Sequence, residues 1–506
     1  MRGVHMALVL LGTVTTFDPE LPVAADAAVY VDEDGRIEAL QPAGAAAPAG
    51  YEDARRVRTG GVIYPGLIDL HNHLAYNHRP LWAPPGRTAP FTSRDQWPRL
   101  PAYATDVRQP TLALTQVASK ALLKFVEVKA VVGGVTAVQG SAVLSRPYEG
   151  FLVRNVEYET FATGRRSVFQ SVRRLDGDAF ESARGHMTAG DAFIYHLAEG
   201  TSPGLLREYQ DLRANDCLQP QLVAVHATAL GQSEYADWGP HHSSVVWSPF
   251  SNLWLYRGTS DVVSARDRGI RVCIGADWSP SGSKHLLGEL KVAHLWNHHP
   301  KGLDGAFSDQ ELCEMVTANP ADAVGWSDHV GRVMPGLLAD LVVLEARRSD
   351  PYDNLIRSTE RDVRLVLVGG RPVYGRVGLM RQAGAGDPDR VTVAGQRRAV
   401  ALVVPGVQDA DMRWAQVVEA LEAARDDPQG AHAALLATVG EDEEPFRIIP
   451  DDPGGEPAVT LTPTDLGQVV IPPLDSLAHD AAYLAAVRAA PIHDHLLDGL
   501  AGYYAV

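Results

Sequence analysis

Six side chains that can bind metal or carry protons stand at the ends of four short apolar runs. His71 and His73 follow PGLIDL, His196 and Glu199 lie in AFIYHLAEG, His226 closes QLVAVH, and Asp277 closes RVCIGAD. Residues two apart in a strand project to the same side, so the imidazoles of His71 and His73 can grip one ion. A lone strand-end histidine is usually a satisfied core residue. The succession HxH, HxxE, H, D over four strands is hard to obtain from packing alone. Buried histidine and aspartate without partners are costly, so a common partner is implied, and one divalent metal supplies it. Neutral imidazoles with a carboxylate suit zinc best and ferrous iron next. An ion held this way with an open position activates water near neutral pH.

The elements that must position these groups are short and alternate with helical patterns. The buried-type runs are VIYPGLIDL (62–70), GVTAVQG (134–140), FLVRNV (151–156), SVFQSV (167–172), AFIYHL (192–197), QLVAVH (221–226), SVVWS (244–248) and RVCIGAD (271–277). Amphipathic stretches such as TLALTQVASKALLKFVEVKAVVG and SPGLLREYQDLRAND lie between them. Alternating strand and helix predicts a parallel sheet, and eight such units predict a closed (β/α)8 TIM barrel, with its site at the C-terminal strand ends. Residues 1–60 read as strands with a DEDG hairpin turn. ADLVVLEA and VRLVLVGGRPVYG resume that pattern late in the chain. The expected division is a small β-sandwich from residues 1–60 and 331–380, a barrel over 61–330, and a C-terminal accessory extension over 381–506. RQAGAGDPDR reads as the linker into that extension.

The composition narrows the function classes. A chain of 506 residues with 45% hydrophobic residues is globular and has room for a large catalytic domain. A net charge of −17 repels phosphate backbones, so neither nucleic acid nor an anionic membrane surface is an expected partner. Cys217, Cys273 and Cys313 form no CxxC pair, which excludes a four-cysteine zinc site and points to a reducing cytoplasm. MRGVHMALVLLGTV is too briefly apolar for a convincing leader and reads as an opening strand. HDH at 493–495 follows a helical segment, where residues two apart diverge, and the HH pairs at 241–242 and 298–299 read as exposed.

Together, GVIYPGLIDLHNH, YHLAEG, VAVHAT, SPFSNLWLY and IGADWSPSG resemble the amidohydrolase superfamily, in particular its cytosine deaminase, guanine deaminase and chlorohydrolase branch. The resemblance covers about residues 1–375. It implies that His71, His73 and His196 bind the metal. Asp277 binds it too or accepts a proton from water. Glu199 shuttles the proton to the leaving group, and His226 hydrogen-bonds the attacking oxygen or the intermediate. Binuclear members carry a bridging lysine or glutamate at the end of the fourth strand. SVFQSVRRL offers neither, and Lys124 and Lys129 fall in a helix, so one metal is expected.

Trp82, Gln139, Arg154 and Asn252 are the candidate substrate contacts, with Arg154 and Glu157 alternatively pairing with each other. Ser279 and Ser281 are candidates to orient Asp277, and His78 reads as a solvated loop residue. The expected activity is hydrolysis of a carbon–nitrogen bond, by deamination of a heterocycle or opening of a cyclic amide, in a cytoplasmic homo-oligomer, most simply a dimer. A decarboxylase or isomerase on the same barrel, and an inactive scaffold, are the competing readings. Retention of Glu199, His226 and every expected ligand argues against both.

Overall fold

The structure is a computed structural model that describes residues 7–141, 144–438, 445–451, 477–479 and 481–505. The chain opens with four strands: β1 (Leu8–Thr15), β2 (Val23–Val31), β3 (Ile37–Pro42) and β4 (Arg55–Pro65). The first six residues of the leader-like string lie outside the described residues; most of the rest forms β1. Eight short strands follow: β5 (Leu67–Asp69), β6 (Val135–Val138), β7 (Arg154–Asn155), β8 (Val168–Ser171), β9 (Ala192–Leu197), β10 (Leu222–His226), β11 (Ser244–Trp247) and β12 (Arg271–Ile274). Five more complete the set: β13 (Leu341–Glu345), β14 (Val363–Val368), β15 (Arg371–Gly375), β16 (Asp389–Val393) and β17 (Gln396–Val400).

All eight buried-type runs of the sequence carry one of the strands β5 to β12. The run VIYPGLIDL divides, however. Its first half ends β4, pairing Pro65 with Leu341 of β13, and its second half is β5. Pro65 brings no amide hydrogen to continue a ladder. At Gly66 a Cβ would lie 2.1 Å from the Thr136 hydroxyl, so only glycine lets the chain pass from one sheet to the other here.

Strands β5 to β12 run parallel in two arcs, β5-β6-β7 and β8-β9-β10-β11-β12. Parallel neighbours need long crossovers, and helices supply them, among them Ser119–Val132, Leu206–Ala214, Gln232–Trp238 and Val262–Asp267. On one side the arcs meet through the Asp277 amide, which donates to the His71 carbonyl at 2.8 Å. No ladder joins β7 to β8 among the described residues. Ile68, Ala137, Val168, Ile194, Val223, Val246 and Cys273, one from each of seven strands, meet in a single buried cluster. Inward residues of both arcs therefore share one interior.

The flanking strands form one continuous sheet in the order β16-β17-β15-β14-β13-β4-β1-β2-β3. The pleat sends alternate residues to opposite sides. Leu341 and Val343 enter a cluster internal to this domain, while Val342 and Leu344 pack into the large core shared with the barrel helices. Residues from 381 onward were expected to form a separate extension, but β16 and β17 extend this sheet. They form a hairpin across Ala394–Gly395, both at positive φ (49° and 71°), as a tight two-residue turn requires. Beyond it, the helix Trp414–Asp426 stacks Trp414 on Phe125, ring centroids 6.3 Å apart.

The long flanking sheet and the parallel strands are tied by a buried charge group. Arg154 of β7 makes a two-pronged bond to Asp340, at 2.6 and 2.9 Å, and a third bond to Glu159 at 2.7 Å. Asp340 also accepts the Gly369 amide from the β14–β15 turn at 2.7 Å. Removing one partner of such a group strands the other charge in the interior. Asp340→Ala should therefore cost about 3 kcal/mol of stability, read as a lower midpoint in urea with secondary structure intact at zero denaturant.

Candidate active site

The C-terminal ends of β5, β9, β10 and β12 converge. His71 and His73 follow β5, His196 lies in β9 with Glu199 just beyond, His226 ends β10, and Asp277 follows β12. His71 Nε2 lies 3.1 Å from His196 Nε2, which lies 3.3 Å from His73 Nε2. Asp277 Oδ1 stands 3.4 Å from His71 Nε2 and 3.6 Å from His73 Nε2. All four side chains are buried. Three imidazoles aimed at one point cannot satisfy one another, because each neutral ring has one N–H and one lone pair. A divalent cation at that point would satisfy all of them, and the donor set of nitrogen and carboxylate oxygen fits zinc or iron.

The outer partner of a ring bears on which nitrogen faces inward. His71 Nδ1 sits 2.6 Å from the Ser248 hydroxyl, a group that can donate or accept, and His73 Nδ1 sits 3.1 Å from Asp451, whose carboxylate accepts. With its proton on Nδ1, the His73 ring presents its Nε2 lone pair to the centre. His226 has the opposite arrangement. The Asn252 amide donates to its Nδ1 at 3.0 Å, so its proton rests on Nε2, 3.6 Å from Glu199. His226 is close enough to His71 and His196 to share an ion with them, but Asn252 occupies the lone pair of its other nitrogen. With Nδ1 accepting from Asn252, its Nε2–H points into the site.

Burial, followed by the neighbouring imidazoles, holds His71 and His196 well below the usual histidine range. Burial also pushes His226 down to about 4. At His73 burial acts in the same sense, but Asp451 and Asp277 outweigh it and raise the ring to about 9. Burial lifts Asp277 to about 7. The Tyr256 hydroxyl donates to Glu199 at 2.6 Å, and the Trp97 indole donates to Tyr256 at 3.2 Å. Strand ends in this site are bent sharply. Ala198, His226 and Asp277 have φ of 48°, 64° and 61°, an unfavourable region for residues with a Cβ and one that concentrates at functional sites. Gly275 is required, since a Cβ there would lie 2.4 Å from that of His71.

A pocket opens over the centre, lined by His73, His196, Glu199, His226 and Asp277 together with Trp97, Val172, Trp278 and Asp451. Trp97 and Trp278, ring centroids 5.2 Å apart, give it an aromatic wall. The expected substrate contacts are engaged elsewhere. Trp82 is buried, its indole on Asp106 at 3.2 Å. Gln139 bridges the Asn72 amide and Glu157, so Glu157 pairs with Gln139 and Arg154 with Asp340. Asn252 stands behind His226. His78, expected in solvent, is buried with Nδ1 on the Ala75 carbonyl. Ser281 takes the Trp278 indole, while Ser279 takes the Lys129 ammonium. In HDH, His493 binds the Val487 carbonyl and His495 is exposed.

Residues 182–373 match the family model of the amidohydrolase family. A 5-methylthioadenosine/S-adenosylhomocysteine deaminase of Syntrophobacter fumaroxidans is 32% identical over 165 residues, covering 31% of this chain and 37% of that relative. Over the matched residues the chain is similar to the amidohydrolase family, and it spans well under two thirds of that relative's length. A zinc-bound adenosine deaminase of Xanthomonas campestris superposes with a TM-score of 0.57 at 20% identity, covering 72% of this chain and 92% of the other. A zinc-complexed atrazine chlorohydrolase of Arthrobacter aurescens gives 0.54 at 18% identity, over 72% and 95%. The fold is the one these two solved structures share. Trp278 and Tyr256 lay inside the family-like strings but carried no mark of their own. Trp97 sits in the long loop after β5. Asp451 had no signal, because nothing local distinguishes it.

Protons compete with a metal at this centre. His73 and Asp277, raised to about 9 and about 7, must release protons before they can act as ligands. The apparent zinc affinity should therefore rise from pH 6 to pH 9. A chelator-competition titration that gave a flat profile would contradict the ligand assignment.

Proposed function

We propose that this chain is a metal-dependent hydrolase that removes an amino group from a planar nitrogen heterocycle, with water as co-substrate. The observation that carries this reading is the convergence of His71, His73, His196 and Asp277 beside a free-standing acid/base pair, Glu199 and His226. A divalent ion held by those four groups would lower the pKa of a water and stabilise developing negative charge on oxygen. The two arcs of strands are read as one closed (β/α)8 barrel and the site as mononuclear.

The remaining chemistry falls to the protein. Glu199 takes a proton from the attacking water and delivers it to the departing amine, because an amine leaves poorly as an anion. The Tyr256 hydroxyl holds one Glu199 oxygen, which leaves the other free to face the reacting centre. His226, its proton kept on Nε2 by Asn252, donates to the oxygen added at the ring carbon. Trp97 and Trp278 flank the ring and exclude water. The bond to the amino group breaks after water adds, giving the hydroxylated or keto ring and ammonia.

Support for an amine substrate comes from the deaminase relative, whose name specifies 5-methylthioadenosine and S-adenosylhomocysteine.

The zinc-loaded chain should release ammonia from at least one member of a panel of adenosine, 5′-methylthioadenosine, guanine and cytosine. Glu199→Gln should keep its zinc and lose at least about 100-fold in kcat. Full activity in that variant would refute the proton-shuttle role. Tyr256→Phe should retain zinc and lose about tenfold, because the shuttle remains but its orientation loosens.

A further inference from the structure

Residues 445–451 lie beyond residue 373, where the family-model match ends, yet they reach the metal centre. The segment is fixed at several points. The Ile448 amide donates to the Ser119 hydroxyl at 2.9 Å, and Ile448 bridges to Leu144. The Ser145 amide donates to the Arg447 carbonyl and the Arg447 amide to the Ser145 hydroxyl, at 2.9 and 2.8 Å. Phe446 stacks on Tyr148 with centroids 4.8 Å apart, and both Phe446 and Ile448 are buried. The segment is thus fastened to the loop after β6 and to the helix Ser119–Val132.

Its last described residue, Asp451, places Oδ1 3.1 Å from His73 Nδ1. Its Oδ2 is buried without a hydrogen-bond partner among the described residues, and the side chain lies on the cavity wall. His73 therefore has Asp277 and two histidine nitrogens on one edge and a carboxylate on the other. A carboxylate on the outer nitrogen of a metal-binding histidine fixes its ring and strengthens it as a ligand. His71 makes its outer contact with a hydroxyl from β11's end, and His196 Nδ1 has none among the described residues. Only His73 of the three is steered by a charged group.

We propose that Asp451 is a positioning residue that orients His73 toward the metal, so that the C-terminal segment completes a centre otherwise built by the barrel. This rests on the metal-site reading above. The segment acts as a strut: the apolar anchor at Phe446 and Ile448 holds the carboxylate in place three residues away.

The test is zinc affinity of the purified full chain by chelator competition, with far-UV circular dichroism as a folding control. Asp451→Ala should weaken zinc binding about 10- to 100-fold. Asp451→Asn should restore most of that affinity, because its amide oxygen still accepts the His73 N–H. Ile448→Asp, which releases the anchor without touching the centre, should weaken binding as Asp451→Ala does. Cobalt substituted for zinc should show an altered d–d spectrum in Asp451→Ala and a near-normal one in Asp451→Asn. Unchanged zinc affinity in Asp451→Ala, with zinc-binding wild type, overturns this proposal alone. A wild-type chain that bound no zinc would sink the metal-site reading with it.

Discussion

Three imidazole nitrogens and a carboxylate oxygen, buried together with neighbouring atoms 3.1 to 3.6 Å from one another, are the constraint on which the rest of the molecule turns. Left to themselves these groups are a liability. They exclude water, offer one another no complete set of hydrogen bonds, and repel when protonated. A chain tolerates such a cluster when a cation resolves it. The parallel strands follow from that need. Short strands with splayed C-terminal ends bring His71, His196, His226 and Asp277 from distant parts of the sequence to one rim, where loops and not backbone ladders govern the detail. The left-handed residues at the strand ends mark where ladder geometry yields to site geometry.

The second level of control is the choice of tautomer. A histidine has two usable nitrogens, and only its outer partner decides which faces the centre. The acceptor behind His73 turns a lone pair inward; a donor behind His226 turns a proton inward. The same residue type is thereby assigned to two jobs within a few ångströms. Asn252 is central to that division although it lines none of the cavity.

This explains what the sequence could and could not disclose. Strand positions were legible because buried parallel strands are written as apolar runs with punctuation, and every one of the eight runs proved to carry a strand. The convergence of the ligand-type residues was legible from their place at those strand ends. The break at Gly66 was not, since an unbroken run of apolar residues conceals a change of sheet when the cause is the distant Thr136. The roles of Trp82, Gln139, Arg154 and Asn252 were misplaced for a related reason. Loop and strand-end polar groups are assigned by partners such as Asp106, Glu157, Asp340 and His226, which lie far away in sequence or on another element. Local chemistry names a side chain's capacity, and only the packing names its use.

Asp451 carries that argument to its limit. One aspartate of a Pro/Asp-rich stretch has no periodic context, and it reaches the centre because Phe446 and Ile448, a few residues earlier, find a socket between Tyr148 and the helix Ser119–Val132. Apolar anchoring sets the position and a single charge then acts at that position. The arrangement separates the two demands that a metal centre makes on a protein. The parallel strands present His71, His73, His196 and Asp277 from their ends. A segment beyond them places the Asp451 carboxylate behind His73, and in the proposed role it sets that ring's orientation without disturbing the strands. A centre divided in this way can be tuned through an appendage while the residues that hold the ion remain fixed.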